Sequence, residues 1–423
     1  MSADLPSYAQ AAAVVAVRAA ELVRSRAPFE RVNLLSASGR VLAEPLHADR
    51  DQPSFPRSTR DGFACRAAEA SAHVQLSIAG ATRAGQTPAG PLPPHSAWEI
   101  MTGAPVPTGA DAVAMIEHVE VTGDRVQLIA PRTLAAGENI VPQGAEARAG
   151  DQIVSPGTRL THSQIAVAAA CGYATLNVIP RPRVAILTTG DELVSIDSTP
   201  APGQIRNSNA PMLAALVAAA GGDPWILPIA TDNPASLDNA LATASKADLL
   251  LISGGVSAGK FDLVEPALAR LDARFHFTGV RIQPGKPLVF GELPRSSQLA
   301  SQSPQYQQTL PLFGLPGNPI SSAATFLLFG APILAALSGS TEQTPRFALA
   351  QLARDVKGKP GLTRFVPAFC VFNPPAGKPP EVAPVGSQGS GDLASFARSN
   401  CFLVVPEGVE RLEAGTPARI LLV

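Results

Sequence analysis

Between residues 181 and about 339, apolar runs and amphipathic stretches alternate. RVAILTTG, PWILPIA and ADLLLISGG are short, near-continuous apolar runs, and each reads as a strand buried on both faces. Between them, APMLAALVAAAGG reads as a helix closed by paired glycines, and NPASLDNALATASK as a helix with Asn233 at its N-cap and Pro234 at its first position. FDLVEPALARL predicts a further helix, VRIQPGKPLVFG a strand–turn–strand, and LPLFGLPGNPISSAATFLLFGAPILAALSG a strand, a loop and a long helix. This alternation predicts a parallel sheet covered by helices on both faces.

The flanks follow other periods. Residues 5–50 open with helical spacing and continue through the short apolar pieces VNLL and GRVLAEPL. Residues 51–144 break into short β-prone runs (VQLSI, WEIMTG, DAVAMIEHVEV, RVQLI) between glycines and prolines. Residues 145–180 hold a small helix, THSQIAVAAACG, and the strand ATLNVI. Residues 340–423 return to short strands (RFVPAFCVF, CFLVVPEG, ARILLV), a β-barrel-like pattern. The Ser/Gln-rich stretch 293–310 reads as a surface loop. The expected division is 5–50 with 145–180 as a discontinuous N-terminal domain, 51–144 as an inserted β-rich domain, 181–339 as an α/β domain and 340–423 as the last. A chain of 423 residues exceeds one ordinary core.

Composition narrows the partners. Lys plus Arg total 33 and Asp plus Glu 34, for a net charge of −1, so no basic excess is present to neutralise a nucleic-acid backbone. The N-terminus lacks a basic stretch ahead of its apolar run and reads as an amphipathic helix, not a signal peptide. The most apolar stretch, FLLFGAPILAAL, contains Gly330 and Pro332 and looks too short to span a bilayer. The expectation is a cytoplasmic protein with no membrane or nucleic-acid partner. Four cysteines without a C-x-x-C pair read as free thiols, and six scattered histidines give no metal-ligand spacing. A hard ion such as Mg²⁺ held by carboxylates and substrate phosphate stays open.

In open α/β sheets ligands bind beyond the carboxyl ends of the strands. The residues at the exit of each apolar run are therefore informative: Gly190-Asp191-Glu192, Thr231-Asp232-Asn233, Ser253-Gly254-Gly255-Val256-Ser257-Ala258-Gly259-Lys260, Gln283-Pro284-Gly285-Lys286-Pro287 and Leu315-Pro316-Gly317-Asn318-Pro319. Glycines at 254, 255 and 259 let backbone N–H groups turn toward an anion. The run from Gly254 to Lys260 satisfies G-x-x-x-x-G-K, but Phe261 stands where a P-loop needs Ser or Thr to ligate Mg²⁺. That argues against an NTPase and leaves a phosphate cradle.

Together with Ser58-Thr59-Arg60-Asp61-Gly62-Phe63-Ala64, Thr102-Gly103-Ala104-Pro105 with Gly109-Ala110-Asp111-Ala112-Val113, and Gln388-Gly389-Ser390-Gly391, these pieces run in one order along the chain. In that order the sequence resembles the MoeA family, which includes the E domain of gephyrin. The resemblance implies a multidomain α/β plus β fold in an elongated subunit, with a central MoaB/MogA-like molybdopterin-binding domain. It implies a homodimer whose cleft borrows from both chains, and a molybdopterin adenylyltransferase as a partner for delivery. The implied reaction inserts molybdate into molybdopterin adenylate, with Mg²⁺ assisting release of AMP.

Asp61, Thr102, Glu192, Asp232 and Lys286 are the catalytic candidates: Asp61 and Thr102 match family positions that border the cleft, Glu192 and Asp232 match family acids at strand ends, and Lys286 is a cation beside a Pro-Gly turn, suited to an oxyanion. Glu192, Asp232 and Asp262 suit Mg²⁺; each has an ordinary alternative as a cap or turn residue. Gly254, Gly255, Ser257, Gly259, Lys260, Pro316, Gly317, Asn318, Arg364 and Ser390 are the substrate-binding candidates; Arg364 and Ser390 match family positions that face the molybdate region, and the prolines and Gly317 suit shaping their loop. The sequence departs from the pattern at Arg60, Val141, Pro142, Ala145 and Glu146. It also departs at Lys260, where many members have Asp, and at Gln283, where many have Lys. We expect Lys260 to supply the charge that Gln283 lacks. An adenylyltransferase, a scaffold and a divergent molybdopterin-binding paralogue are the competing functions. The flanking regions argue against the first, and the lack of a long linker against the second.

Overall fold

The computed structural model describes residues 5–22, 29–255, 263–295, 308–386 and 388–423. The chain forms two compact units, one of residues 1–43, 157–161 and 176–423, the other of residues 44–156 and 162–175.

In the smaller unit, the β-prone runs build a six-stranded sheet ordered Ala112–Met115, Gly62–Cys65, Ser96–Ile100, Leu76–Thr82, Arg125–Leu128, Val119–Thr122. Its pairings are antiparallel except the parallel pair Leu76–Thr82 and Ser96–Ile100. Ala64, Ile100 and Val113 are buried around Trp98. The Trp98 indole N–H donates to Thr82 Oγ1 at 2.7 Å, which keeps that buried donor satisfied. The helix His162–Ala170 stops at Gly172, whose φ of +81° suits a residue without Cβ.

The larger unit opens with the helix Tyr8–Leu22, which buries Ala11, Val15, Ala19 and Leu22 at three- and four-residue spacing. These residues share one core with the long helix near the end of the α/β segment. Arg18 on the same helix reaches Glu292, a buried carboxylate in a sheet strand that His276 also meets at 2.9 Å.

The central sheet has six strands, ordered Asp223–Ile226, Arg183–Thr188, Leu249–Ser253, Thr309–Leu315, Val289–Pro294, Arg274–Thr278. The first four are parallel neighbours. Val289–Pro294 runs antiparallel to both of its neighbours. The all-parallel expectation is thus corrected to a mixed sheet. Strand direction is set by chain reversal, which apolar periodicity does not encode, and the strand Arg274–Thr278 escaped the sequence reading because RFHFT alternates weakly. The helix Pro234–Ala244 begins as expected: the Asn233 side chain accepts the Ser236 N–H at 2.9 Å.

The apolar stretch 326–337 is corrected in length. It belongs to one continuous helical run, Pro319–Leu337, of 19 residues, and 83% of its apolar window is buried in the protein. Length alone would permit a membrane span; burial marks it as a core helix. Over Phe326–Gly330 it widens to a π turn, in which the Ala331 N–H donates to Phe326 O. Pro332 comes directly after, has no N–H to give, and would crowd the carbonyl four residues earlier, so the wider turn accommodates it.

The last segment closes on itself. Thr363–Val371 pairs with Glu381–Pro384, which pairs with Phe347–Leu352, then Pro417–Leu422, then Cys401–Val405, which pairs back with Thr363–Val371. This five-stranded barrel has no free edge among these strands. Its core includes Cys370, Cys401, Leu403 and Ile420. All four cysteines are buried and free.

Candidate functional site

The register of the central sheet brings the loops together. Thr188 pairs with Ser253, Ser253 with Leu315, and Gly314 with Val289. The carboxyl ends of three parallel strands and the entering end of the reversed strand therefore share one edge. A further bridge, Thr189 to Ala230, carries that edge to the loop holding Asp232. Along it stand, in spatial order, Asp232, Glu192, Gly254, the Pro316–Asn318 turn and Lys286. Strands sit about 4.8 Å apart, so the strand before Glu192 and the strand after Lys286 are separated by three spacings, about 14 Å.

The acidic end is made of exposed groups. The Asp232 N–H donates to Asp191 Oδ1 at 3.0 Å, and the Glu192 carboxylate folds back over Gly190. No group of three or more His, Cys, Asp or Glu side chains gathers among the described residues. An Mg²⁺ ion that keeps several waters and takes one or two carboxylates plus substrate phosphate does not need one. Glu192 and Asp232, both exposed at this edge, are carboxylates of the type such an ion takes.

At the centre, the strand Leu249–Ser253 ends in Gly254 with φ +96°. A Cβ there would stand 2.6 Å from Thr189 O, so this close approach of two strand ends requires glycine. The Gly254 N–H donates to Leu315 O at 3.3 Å, tying the glycine turn to the neighbouring strand. Ser257, Gly259, Lys260 and Asp262 lie outside the described residues. The helix that Asp262 was expected to open runs over Val264–Arg270.

At the cationic end, Val280 N–H donates to Lys286 O at 2.9 Å and closes the turn. Ile282–Gln283 pairs in parallel with Thr363–Arg364, and the Ile320 N–H donates to Ser390 O at 3.2 Å. These links line a cavity of about 430 Å³ with Lys286, Asn318, Ser321, Arg364 and Ser390 among its walls. Lys286 and Asn318 are exposed, while Pro316 is buried and Gly317 exposed. Arg364 donates from Nη1 to Lys357 O at 2.6 Å, and its Nε is buried without a hydrogen-bond partner among the described residues. A guanidinium, a lysine and a serine lining one cavity suit a tetrahedral oxyanion.

Asp61 and Thr102 belong to the smaller unit, and the fold brings them to each other. Thr102 donates its backbone N–H and its hydroxyl to Asp61 Oδ1, at 2.6 and 2.8 Å. Those bonds, the backbone one foremost, hold the Asp61 carboxyl below its ordinary range.

The sequence reading missed a polar layer beneath the edge. Asn207 Nδ2 donates to Thr188 Oγ1 at 2.9 Å, and Asn209 Nδ2 to Ser253 Oγ at 2.8 Å and to Gly317 O at 2.6 Å. Ser321, in the cavity wall, was missed too. The run Asn207-Ser208-Asn209 ahead of an apolar helix was the available signal, but it reads equally as capping.

Comparison with known proteins agrees with this layout. Residues 7–172 match the MoeA N-terminal region (domain I and II), residues 185–336 a probable molybdopterin binding domain, and residues 349–423 the MoeA C-terminal region (domain IV). The chain is 34% identical to the molybdopterin molybdenumtransferase of Nostoc sp. over 94% of its own length and 89% of that protein. It is 34% identical to that of Bacillus subtilis over 93% and 90%. A crystal structure of the molybdopterin biosynthesis MoeA protein from Pyrococcus horikoshii, 28% identical, superposes with a TM-score of 0.77 over 99% of this chain and 100% of the other. With 34% identity over 94% of the chain and three family regions matched in order along it, this chain belongs to the MoeA family.

Proposed function

We propose that the protein is a molybdopterin molybdenumtransferase, which inserts molybdate into adenylylated molybdopterin and releases AMP. The observation that carries this reading is the order of groups along one edge: carboxylates, glycine turn, then a lysine–arginine–serine cavity about 14 Å away. A diphosphate ester and a tetrahedral oxyanion need different hosts, and this edge offers both. Gly254 keeps the turn clear of a side chain, and the Gly255 backbone N–H would seat a phosphate oxygen there. Lys286, Arg364 and Ser390 hold molybdate by charge-assisted hydrogen bonds near the site where the dithiolene takes up the metal. Pro316, Gly317 and Asn318 shape the wall between the two.

Glu192 and Asp232 would hold Mg²⁺, which would neutralise diphosphate charge as the link to AMP is cut. Without it, two carboxylates would repel the substrate, so the metal also explains why acids line a phosphate-binding edge. Asp61, kept ionised by its two donors from Thr102, is available as an acceptor for a substrate hydroxyl or ring N–H. By sequence, Lys260 supplies the cation that Gln283 does not.

Further parts of the reading are a cytoplasmic homodimer, delivery of substrate by a molybdopterin adenylyltransferase, and the four-domain division 5–50 with 145–180, 51–144, 181–339 and 340–423. The test is direct: purified protein with molybdopterin adenylate, molybdate and Mg²⁺, following AMP and active cofactor together. Both should appear, and only with molybdate and Mg²⁺ present. ATP-dependent formation of the adenylate would assign the chain to the preceding step instead.

A further inference from the structure

Asn209 sits at the start of the helix Asn209–Ala219 and touches two of the loops that form the edge. Its Nδ2 donates to Ser253 Oγ at 2.8 Å and to Gly317 O at 2.6 Å, so one amide spans the strand end before Gly254 and the Pro316–Asn318 turn. Ser322 completes the bridge from below: its hydroxyl lies 3.4 Å from Ser253 Oγ and donates to Pro316 O. Ser253 and Ser322 are both buried. Asn209 Oδ1 is buried with no hydrogen-bond partner among the described residues. A helix cap would use its side-chain oxygen to accept an N–H; here the oxygen is idle and the nitrogen is spent twice.

We propose that Asn209 is a positioning residue that sets the spacing between the phosphate-seating glycine turn and the wall of the oxyanion cavity, acting only through its two N–H donors. The two loops serve different parts of the substrate pair, and their separation decides whether both parts are held at once. Pre-organisation of this kind is lost by sub-ångström shifts. The kinetic half of the proposal rests on the transferase reading; the structural half does not.

The discriminating variant is Asn209→Asp, which keeps size and shape but replaces the donor with an oxygen facing Gly317 O and Ser253 Oγ. Amide hydrogen exchange in the unliganded protein gives the first readout, at Gly254, whose N–H donates to Leu315 O, and at Ser322, whose N–H donates to Asn318 O. In Asn209→Asp and Asn209→Ala both amides should exchange about tenfold faster or more, together, while the Asn233-capped helix keeps its rate. As pH falls through the ionisation of the new Asp, its protonated carboxyl regains one donor. Protection in Asn209→Asp should then rise toward that of the parent, while Asn209→Ala shows no such recovery. In the transfer assay, Asn209→Asp should lower the rate and raise the half-saturating molybdate concentration together, by about tenfold each, with the same recovery at lower pH.

Unchanged exchange at both amides overturns the proposal, as does faster exchange spread evenly over the helix Asn209–Ala219, which would make Asn209 an ordinary helix-end residue. A parent protein that releases no AMP would overturn the transferase reading, and the exchange data would still decide the role of Asn209.

Discussion

Gln283 lies beside Arg364 in parallel register, so a two-residue strand fastens the turn carrying Lys286 to the C-terminal barrel. The cavity they share takes one cation from the α/β segment and one from the barrel, two parts of the chain about eighty residues apart in sequence.

Removal of either cation should therefore act on the same ligand. Lys286→Ala and Arg364→Ala are each expected to raise the half-saturating molybdate concentration by roughly 10- to 100-fold, the loss of one charge-assisted hydrogen bond of about 1.5–3 kcal/mol. Affinity for the adenylate should change less. Steady-state kinetics with each substrate varied in turn checks this, and equal effects on both substrates would contradict it.

The acidic end makes a separate prediction. Glu192→Gln and Asp232→Asn keep size and hydrogen bonding but remove charge, and neither side chain is buried, so folding should be little affected. The Mg²⁺ concentration for half-maximal AMP release should rise by about tenfold or more in each. A Mg²⁺ titration unchanged from the parent would move the metal elsewhere.

Gly254 is held by geometry. At φ +96° and with Thr189 O 2.6 Å from where a Cβ would stand, Gly254→Ala must shift one strand end. The expected cost is about 1–3 kcal/mol, visible in denaturant unfolding, along with loss of adenylate binding. A variant with parental stability would show that the turn yields easily.

The loop around Ser390 depends on pH through Asp392. Its carboxylate accepts from the Ser395 hydroxyl and from the backbone N–H groups of Ser395 and Gln388, and these bonds bring its pKa down to about 2. A folded-state value below the ordinary 3.8 means that the contribution is complete above 3.8 and is lost as pH falls toward 2. Asp392→Asn should remove that acid dependence of the loop while Ser395→Ala should raise the pKa toward its ordinary value. Carboxyl chemical shifts followed through an acid titration would measure both.

Much of this site could be read from the chain because strands and their exits leave strong local marks. RVAILTTG and ADLLLISGG have near-continuous apolar centres and end in glycine, so both the strand and the position of its loop can be read from the pattern. What stayed hidden depends on long-range register. The pairing of Gln283 with Arg364 and the reversal of Val289–Pro294 have no local signature. Asn209 was hidden for another reason: an Asn before an apolar helix looks like a cap, and only the folded chain reveals that its nitrogen, not its oxygen, is engaged.

The reversed strand has a practical side. Because Val289 stands at the ligand edge and Pro294 pairs with Thr309 at the other end of the same ladder, the chain leaves the sheet there roughly 20 Å from the chemistry, the length of a strand of about six residues. A fluorophore or affinity tag entered between Pro294 and Thr309 would ride on the enzyme as a reporter while leaving turnover at the level of the untagged protein.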